Sequence, residues 1–174
     1  MKFKGINYNA GIDYNECGEG KETNAKEFLS DLKWIKRMNC NSIRLYGSNN
    51  KKLLKYTKLA LQNGFIVWAS PRYIGKNKDE TLRLLLDFSK QLDKMRHSGN
   101  VFLIIGNEYT IDMQGLVVGN THKQRALNYK KAKSDVLNKI LSKFVPEIRN
   151  VLFKHLKRII RRLFLFFKRA YIRF

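Results

Sequence analysis

The sequence predicts an α/β fold with a parallel β-sheet, and two features of the apolar pattern support this prediction. Short apolar segments bounded by glycine, asparagine or proline alternate with longer segments in which apolar residues recur at helical spacing. Short apolar runs are typical of buried strands, and recurrence every three to four residues is typical of helices that bury one face. Because one helix candidate separates each strand candidate from the next, we expect right-handed crossovers between parallel strands.

Four segments are candidates for strands, and a fifth candidate follows near the carboxyl end. They are residues 2–8, 41–47, 65–70 and 101–105, with residues 149–153 as the fifth. The segment 101–105, VFLII, contains no polar residue and stops at Gly106. Such a run is typical of a strand that is buried on both faces. We therefore predict four to five β-α units.

Three helix candidates begin with a capping box, in which an N-cap residue precedes Glu or Gln by three positions. The pairs are Asn24 with Glu27, Asn77 with Glu80, and Thr121 with Gln124. A further helix is predicted over residues 51–63, ending at Gly64. The helix after Asn77 should reach about residue 97, and the helix after Thr121 should reach residue 144 and stop before Pro146.

The length limits how these units can be arranged. A closed (β/α)8 barrel takes about 250 residues, so 174 residues with four to five units correspond to half of one. An open doubly wound sheet also fits the length, but such sheets usually carry a phosphate-binding loop, and neither GxGxxG nor GxxxxGK(S/T) occurs. The missing loop argues against a doubly wound sheet, and no cofactor is predicted.

No metal site is predicted from the histidines or the cysteines. His97, His122 and His155 share no ligand spacing and are expected at the surface or at helix ends. Cys17 and Cys40 lack a CxxC spacing and are expected to be reduced thiols.

The chain is strongly basic, with 35 Lys and Arg against 14 Asp and Glu and a formal net charge of +21. A charge of this size attracts nucleic acid and anionic lipid whatever the fold. The amino terminus lacks the apolar segment of a signal peptide, and no apolar run approaches the roughly 18 residues of a membrane span. A cytoplasmic location is therefore expected.

Polar side chains follow the strand candidates at the edge where parallel α/β proteins keep their chemistry. Asn107 and Glu108 come directly after Gly106. Arg44 lies within the second strand between Ile43 and Leu45. If Arg44 points into the interior of a barrel it needs carboxylate partners, and the alternative is that it reaches solvent at a strand edge.

Two sets of segments resemble known families. IRLYG at 43–47 with IIGNE at 104–108 resembles the clan A glycoside hydrolases, whose (β/α)8 barrels end their fourth strand in Asn-Glu. More closely, FKGINYNAG, DLKWIKRMNCNSIRLYG, ASPRY and GNEYTIDMQGLVVG, in this order, resemble the barrel proteins known as abortive infection proteins. The resemblance covers residues 1–152 and implies the amino-terminal half of a TIM-type barrel.

The resemblance also implies roles for individual residues. Glu108 would be the general acid/base of a retaining glycoside hydrolase, Asn107 would hold a sugar 2-hydroxyl, and Arg44 would lie near the nucleophile. Aromatic residues near the strand ends would stack on sugar rings, namely Tyr8, Tyr46, Trp68, Tyr73 and Tyr109. The implied partner is a carbohydrate.

The clan A nucleophile comes from a seventh strand, which the predicted units do not include. Asp112 and Asp13 are carboxylates that could approach Glu108, but neither occupies the family position of the nucleophile. We therefore expect a truncated, glycoside hydrolase-like protein that is inactive alone and that self-associates through its open barrel.

Residues 153–174 differ from the rest, because eight of them are basic and none is acidic. Apolar residues from Leu152 to Phe167 recur on one helical stripe with basic residues largely opposite. A basic amphipathic helix of this kind would dock on anionic membrane or nucleic acid. A frameshift or truncation of the reading frame explains the same change in composition, and we prefer that explanation.

Overall fold

The computed structural model describes the backbone of residues 3–11, 24–132 and 134–170, and the side chains of these residues except 131 and 153–170. Four strands alternate with helices: β1 (Gly5–Asn9), α1 (Ala25–Arg37), β2 (Ser42–Gly47), α2 (Asn50–Gln62), β3 (Ile66–Pro71), α3 (Lys78–Asp93) and β4 (Val101–Leu103). Three further helices follow, which are α4 (Tyr109–Asp112), α5 (His122–Leu127) and α6 (Ser134–Ala170). Short 3-10 turns cover Arg96–Ser98 and Tyr129–Lys131.

The strands form one parallel sheet in the order β1-β2-β3-β4. This order confirms the predicted α/β class with a parallel sheet, and it has no point at which the strand order reverses, as it does in doubly wound sheets. Within the described residues the sheet is open, with β1 and β4 at its edges. Closure into a barrel therefore remains a prediction.

Helices α1, α2 and α3 all cover the same face of the sheet. They bury one continuous core with that face, which includes Phe28, Leu53 and Phe88 from the helices and Ile43, Leu45, Val67 and Ala69 from β2 and β3. Because successive strand residues point to opposite faces, Arg44 and Trp68 lie on the other face, which we call the open face.

The open face carries a row of aromatic rings. Trp68 stacks on Phe102 with ring centroids 4.5 Å apart, and Phe3 meets Trp68 edge to face at 5.8 Å. Phe3 is 50% exposed and Phe102 is 42% exposed. A sheet face covered by helices would not leave such rings in solvent, so this part of the open face is apolar and accessible.

A second core forms where α6 packs along α3. Its fully or nearly buried residues are Tyr73, Leu85, Tyr109, Met113, Phe144 and Ile148. This core holds the segment 109–113 from beneath, and the same segment carries part of the candidate site described below.

Capping explains why the helices begin where they do. The Asn24 side chain accepts from the backbone of Lys26 and Glu27 at 2.9 Å, and the Glu27 carboxylate accepts from the Asn24 amide at 3.3 Å. The same reciprocal boxes are present at Asn77 with Glu80 and at Thr121 with Gln124. All three predicted helix starts are confirmed.

The predicted fifth strand at residues 149–153 is wrong, and so is the predicted end of a helix before Pro146. Both lie inside α6, which runs through Pro146 to Ala170. Phe144 and Ile148 keep helical spacing across the proline and are buried in the second core. Packing of this apolar stripe outweighs the hydrogen bond that the proline cannot donate.

The helix predicted from Thr121 to residue 144 is interrupted. It consists of α5, a 3-10 turn at Tyr129–Lys131 and the beginning of α6. Tyr129, the first residue of this turn, is 54% exposed. Among the described helices, none is both long enough and apolar enough to cross a bilayer.

Candidate functional site

The candidate site lies at the carboxyl ends of β2, β3 and β4. Arg44 of β2 donates from Nη2 to Asn107 Oδ1 at 2.8 Å and to Ser70 Oγ at 3.2 Å. Ser70 and Asn107 are buried, and Ser70 is on β3 while Asn107 follows β4. One arginine within β2 thus connects the carboxyl end of β3 with the segment after β4.

Arg72, directly after β3, is the centre of a second group. Its Nε donates to Asp112 Oδ2 at 2.7 Å and its Nη2 to Asp112 Oδ1 at 3.0 Å. The same Nη2 donates to Glu108 Oε2 at 2.6 Å. Two parallel bonds from one guanidinium to one carboxylate give both strength and a fixed orientation. The Arg72 side chain is 8% exposed, Asp112 is 1% exposed and Glu108 is 51% exposed.

The backbone after β4 brings the two carboxylates together. Glu108 has a left-handed conformation with φ of 48°, which is uncommon for a residue other than glycine. It is the N-cap of α4, and its carbonyl accepts from the Asp112 amide at 2.9 Å. One helical turn therefore places Asp112 beneath Glu108. The strained backbone at Glu108 costs about 1–3 kcal/mol, which the bonds to Arg72 help to offset.

Burial governs the titration of Asp112. Desolvation raises the pKa of Asp112 above its usual value, and the hydrogen bonds and positive charge of Arg72 offset part of that rise. The nearby Glu108 charge also raises the pKa of Asp112, whereas His122 lowers it. Asp112 is thus a buried carboxyl group whose charge depends on its two basic neighbours.

His122 belongs to the site, although its sequence position predicted a surface or helix-end residue. It is at a helix end, as the first residue of α5, but its side chain is only 14% exposed. Its Nε2 lies 3.2 Å from Asp112 Oδ1 and 3.5 Å from Arg72 Nη2. The helix-end alternative of the prediction is therefore met, but the side chain contacts Asp112 instead of extending into solvent.

Arg125 fixes the loop that surrounds these residues. It is fully buried, and its Nε donates to the Ile111 carbonyl at 2.7 Å. Its Nη1 donates to the carbonyls of Gly119 and Asn120 at 3.3 and 3.1 Å. Carbonyls of an irregular loop have no ladder partner, so a buried arginine that collects them holds the loop in one conformation.

Glu108, Asp112 and His122 each present a possible metal ligand atom, and these atoms lie within 4.8 Å of one another. Carboxylate and imidazole groups suit several divalent metals. Arg72, however, donates to both Asp112 oxygens and to Glu108, so its guanidinium already supplies a cation there. A metal ion could bind these three ligands only if Arg72 moved away. The geometry therefore fits an arginine-centred site better than a metal site.

The structure brings together three of the predicted site residues, which are Glu108, Asn107 and Arg44. The Tyr46 ring lies beside them, with the Arg44 guanidinium carbon 5.8 Å from its centroid. Trp68 is on the open face directly opposite Arg44 in the strand register. Among the described residues Arg44 has neutral hydrogen-bond partners, so the expectation of carboxylate partners is not met within them.

Three predicted aromatic residues do not reach this site. Tyr8 lies on the helix-covered face, where its hydroxyl donates to Asp31 Oδ2 at 2.7 Å, because its strand position pairs with Leu45. Tyr109 is 3% exposed in the second core, and burial raises its pKa. Tyr73 is also buried there and donates to Asn50 at 2.7 Å.

Sequence reasoning did not assign roles to Arg72, His122 or Ser70. A local signal existed for Arg72, since it is the first charged residue after β3, but nothing in the sequence pairs it with Asp112, forty residues away. The expectation that Asp112 could approach Glu108 is confirmed. Asp13 and Cys17 lie outside the described residues, as do the side chains of the basic segment after residue 152.

Comparison of the chain with models of known protein families finds no match, and comparison with curated protein sequences finds none either.

Proposed function

We propose that the chain carries a carbohydrate-binding site of the glycoside hydrolase type, with Glu108 in the acid/base position and Asn107 facing a sugar hydroxyl. One observation carries the proposal. Asn107 and Glu108 lie in the segment after β4, and each accepts from an arginine of another part of the sheet, Asn107 from Arg44 within β2 and Glu108 from Arg72 directly after β3. The parallel sheet in sequential strand order, with α1, α2 and α3 on one face, also supports a half-barrel of this type.

The same geometry argues against turnover. A retaining glycosidase needs a nucleophilic carboxylate about 5 to 5.5 Å from the acid/base. Asp112 presents an oxygen within 4.8 Å of one from Glu108. It is 1% exposed, however, and both of its oxygens accept from Arg72. A sugar cannot reach such a carboxylate, so we propose binding without hydrolysis by the described residues.

The test has a turnover arm and a binding arm. We expect 4-nitrophenyl β-D-glucoside, galactoside and xyloside to release no more 4-nitrophenol with the natural chain than with Glu108→Gln. Turnover that survives Glu108→Gln would exclude Glu108 from the acid/base position.

The binding arm uses saturation-transfer NMR with the methyl glycosides of the same sugars and of the matching uronic acids. Asn107→Ala should weaken binding about tenfold, since one lost hydrogen bond to a polar ligand costs about 1.5 kcal/mol. Asn138→Ala changes an exposed residue of α6 and is the matched control. If none of these sugars binds the natural chain, the proposal fails.

One observation favours a second candidate function. The helical backbone of α6 continues to Ala170, through the segment that contains most of the eight basic residues counted after residue 152. We propose as the alternative that this helix docks on an anionic surface. Binding to phosphatidylserine vesicles or to duplex DNA that persists unchanged after deletion of residues 153–174 would exclude the tail as the cause. A salt slope near zero would argue against nucleic acid.

A further inference from the structure

The two arginines of the candidate site differ in their partners. The carboxylates of Glu108 and Asp112 both accept from Arg72, at 2.6 and 2.7 Å. Arg44, on the neighbouring strand, has no carboxylate partner among the described residues. A guanidinium is charged at every physiological pH. Arg44 is therefore the guanidinium of this group that no carboxylate among the described residues contacts.

The Arg44 side chain also has hydrogen-bond donors left over. Both of its bonds to described residues come from Nη2, whereas its Nε is buried and has no acceptor there. A guanidinium has five N–H donors. A buried donor without an acceptor costs about 1–3 kcal/mol. Asn107 and Ser70 thus hold Arg44 in position through Nη2, while Nε and Nη1 have no hydrogen-bond acceptor among the described residues.

The neighbours of Arg44 indicate which kind of anion fits. Tyr46 lies 5.8 Å from the guanidinium carbon, and Trp68 is opposite Arg44 in the strand register on the same open face. Aromatic faces favour the apolar face of a sugar ring, and amide and hydroxyl groups such as those of Asn107 and Ser70 bond its hydroxyls. A small inorganic anion would pair with the guanidinium but would not stack on the aromatic rings. A neutral sugar would stack on the rings but would not pair with the guanidinium.

We propose that the ligand of this site is an acidic sugar of the uronic acid class, with its carboxylate paired to Arg44. This inference rests on the proposed carbohydrate site and specifies its substrate class. The carboxylate would pair with the charge of Arg44 and accept from Nη1, which is not among the buried nitrogens and has no hydrogen bond to a described residue. The remaining hydroxyls would lie toward Asn107 and Glu108.

The decisive measurement compares sugars that differ only in the carboxylate. Methyl β-D-glucuronide is titrated against methyl β-D-glucoside, and the galacturonide against the galactoside, by calorimetry with the full chain at fixed salt. We expect at least one acidic sugar to bind tenfold or more tightly than its neutral counterpart. Equal or tighter binding of the neutral sugars overturns this inference and leaves the carbohydrate site intact. Binding of neither kind overturns both.

Variants distinguish the effect of Arg44 on binding from the effect of the positive charge of the whole chain. Arg44→Gln should abolish the preference for the acidic sugar, whereas Arg83→Gln, at an exposed position of α3, should retain it. Arg44→Lys keeps the charge and should retain part of the preference. A preference that survives Arg44→Gln in a folded protein, or acetate that binds as tightly as the acidic sugar, overturns the inference. The comparison in the natural chain decides the matter even if Arg44→Gln does not fold.

Discussion

Arg72 is the residue on which the two carboxylates of the site depend. It is 8% exposed and is hydrogen-bonded to the 1% exposed Asp112 through two nitrogens. An ion pair at this depth is costly to break, because the carboxylate that remains is shielded from water and has lost the guanidinium that neutralised it. Arg72 therefore stabilises the fold around the site as well as the orientation of Glu108.

Arg72→Leu should lower the free energy of unfolding by about 3–5 kcal/mol at pH 7, the usual cost of leaving one buried partner alone. Arg72 lowers the pKa of Asp112, so its removal should raise the folded-state pKa of this group further above the unfolded value. The folded variant then holds a proton that the unfolded chain releases, and its stability falls as pH rises through this range. Urea unfolding at pH 5 and pH 7 should therefore show a smaller loss at pH 5.

The control for Arg72→Leu is Arg83→Leu, which removes an exposed arginine from α3. Its effect should stay within about 0.5 kcal/mol. The prediction is contradicted if Arg72→Leu lowers the free energy of unfolding equally little, or lowers it more at pH 5 than at pH 7. Either result would show that Arg72 does not stabilise the ionised form of Asp112.

At the level of elements, the features that sequence predicted correctly are local ones. A capping box needs two residues three positions apart, and the boxes at Asn24, Asn77 and Thr121 all form. The position of Asn107 and Glu108 after a strand is also local. The Arg72–Asp112 pair spans forty residues and depends on how two loops meet, which no periodicity encodes.

The element that the sequence analysis predicted wrongly is α6, where tertiary packing outweighs the local effect of a proline. Proline inside a helix removes one hydrogen bond and disfavours helical backbone at the preceding residue. The buried side chains of Phe144 and Ile148 on either side of Pro146 nevertheless pack in the second core with α3. Prediction from the proline alone ended the helix, and prediction from the apolar spacing would have continued it.

Pro146→Ala should therefore stabilise the protein. Residue 146 is exposed, so the substitution removes no buried contact and restores one backbone donor inside a continuous helix. The gain should be about 1–3 kcal/mol in the free energy of unfolding, given the low helix propensity of proline. Circular dichroism during urea unfolding measures this gain.

The control is Lys143→Ala, at an exposed site one turn earlier, which should change the free energy of unfolding by less than about 0.5 kcal/mol. Destabilisation by Pro146→Ala would mean that α6 is not continuous at this point.

For the whole molecule, the open face and the two sheet edges are the surfaces most suited to contact with another chain. Within the described residues, β1 and β4 each have one unpaired side, and Phe3 and Phe102 are about half exposed beside them. Unpaired strands and exposed apolar surface favour association with another chain. Because all four strands are parallel and in sequential order, β4 of one copy can pair with β1 of a second copy without changing the direction of any strand.

We therefore predict self-association through the β1 and β4 edges and the exposed apolar residues of the open face beside them. Sedimentation velocity at moderate salt, where screening weakens repulsion between chains of charge +21, should show a dimer or larger species. Phe102→Lys, which places a charge on the open face at the β4 edge, should shift the protein toward the monomer. Trp34→Lys changes a residue that is 59% exposed on α1, away from the sheet edges, and should leave association unchanged. A compact monomer at every concentration would contradict the prediction, and equal effects of the two variants would show that exposed apolar area in general, rather than the open face, drives association.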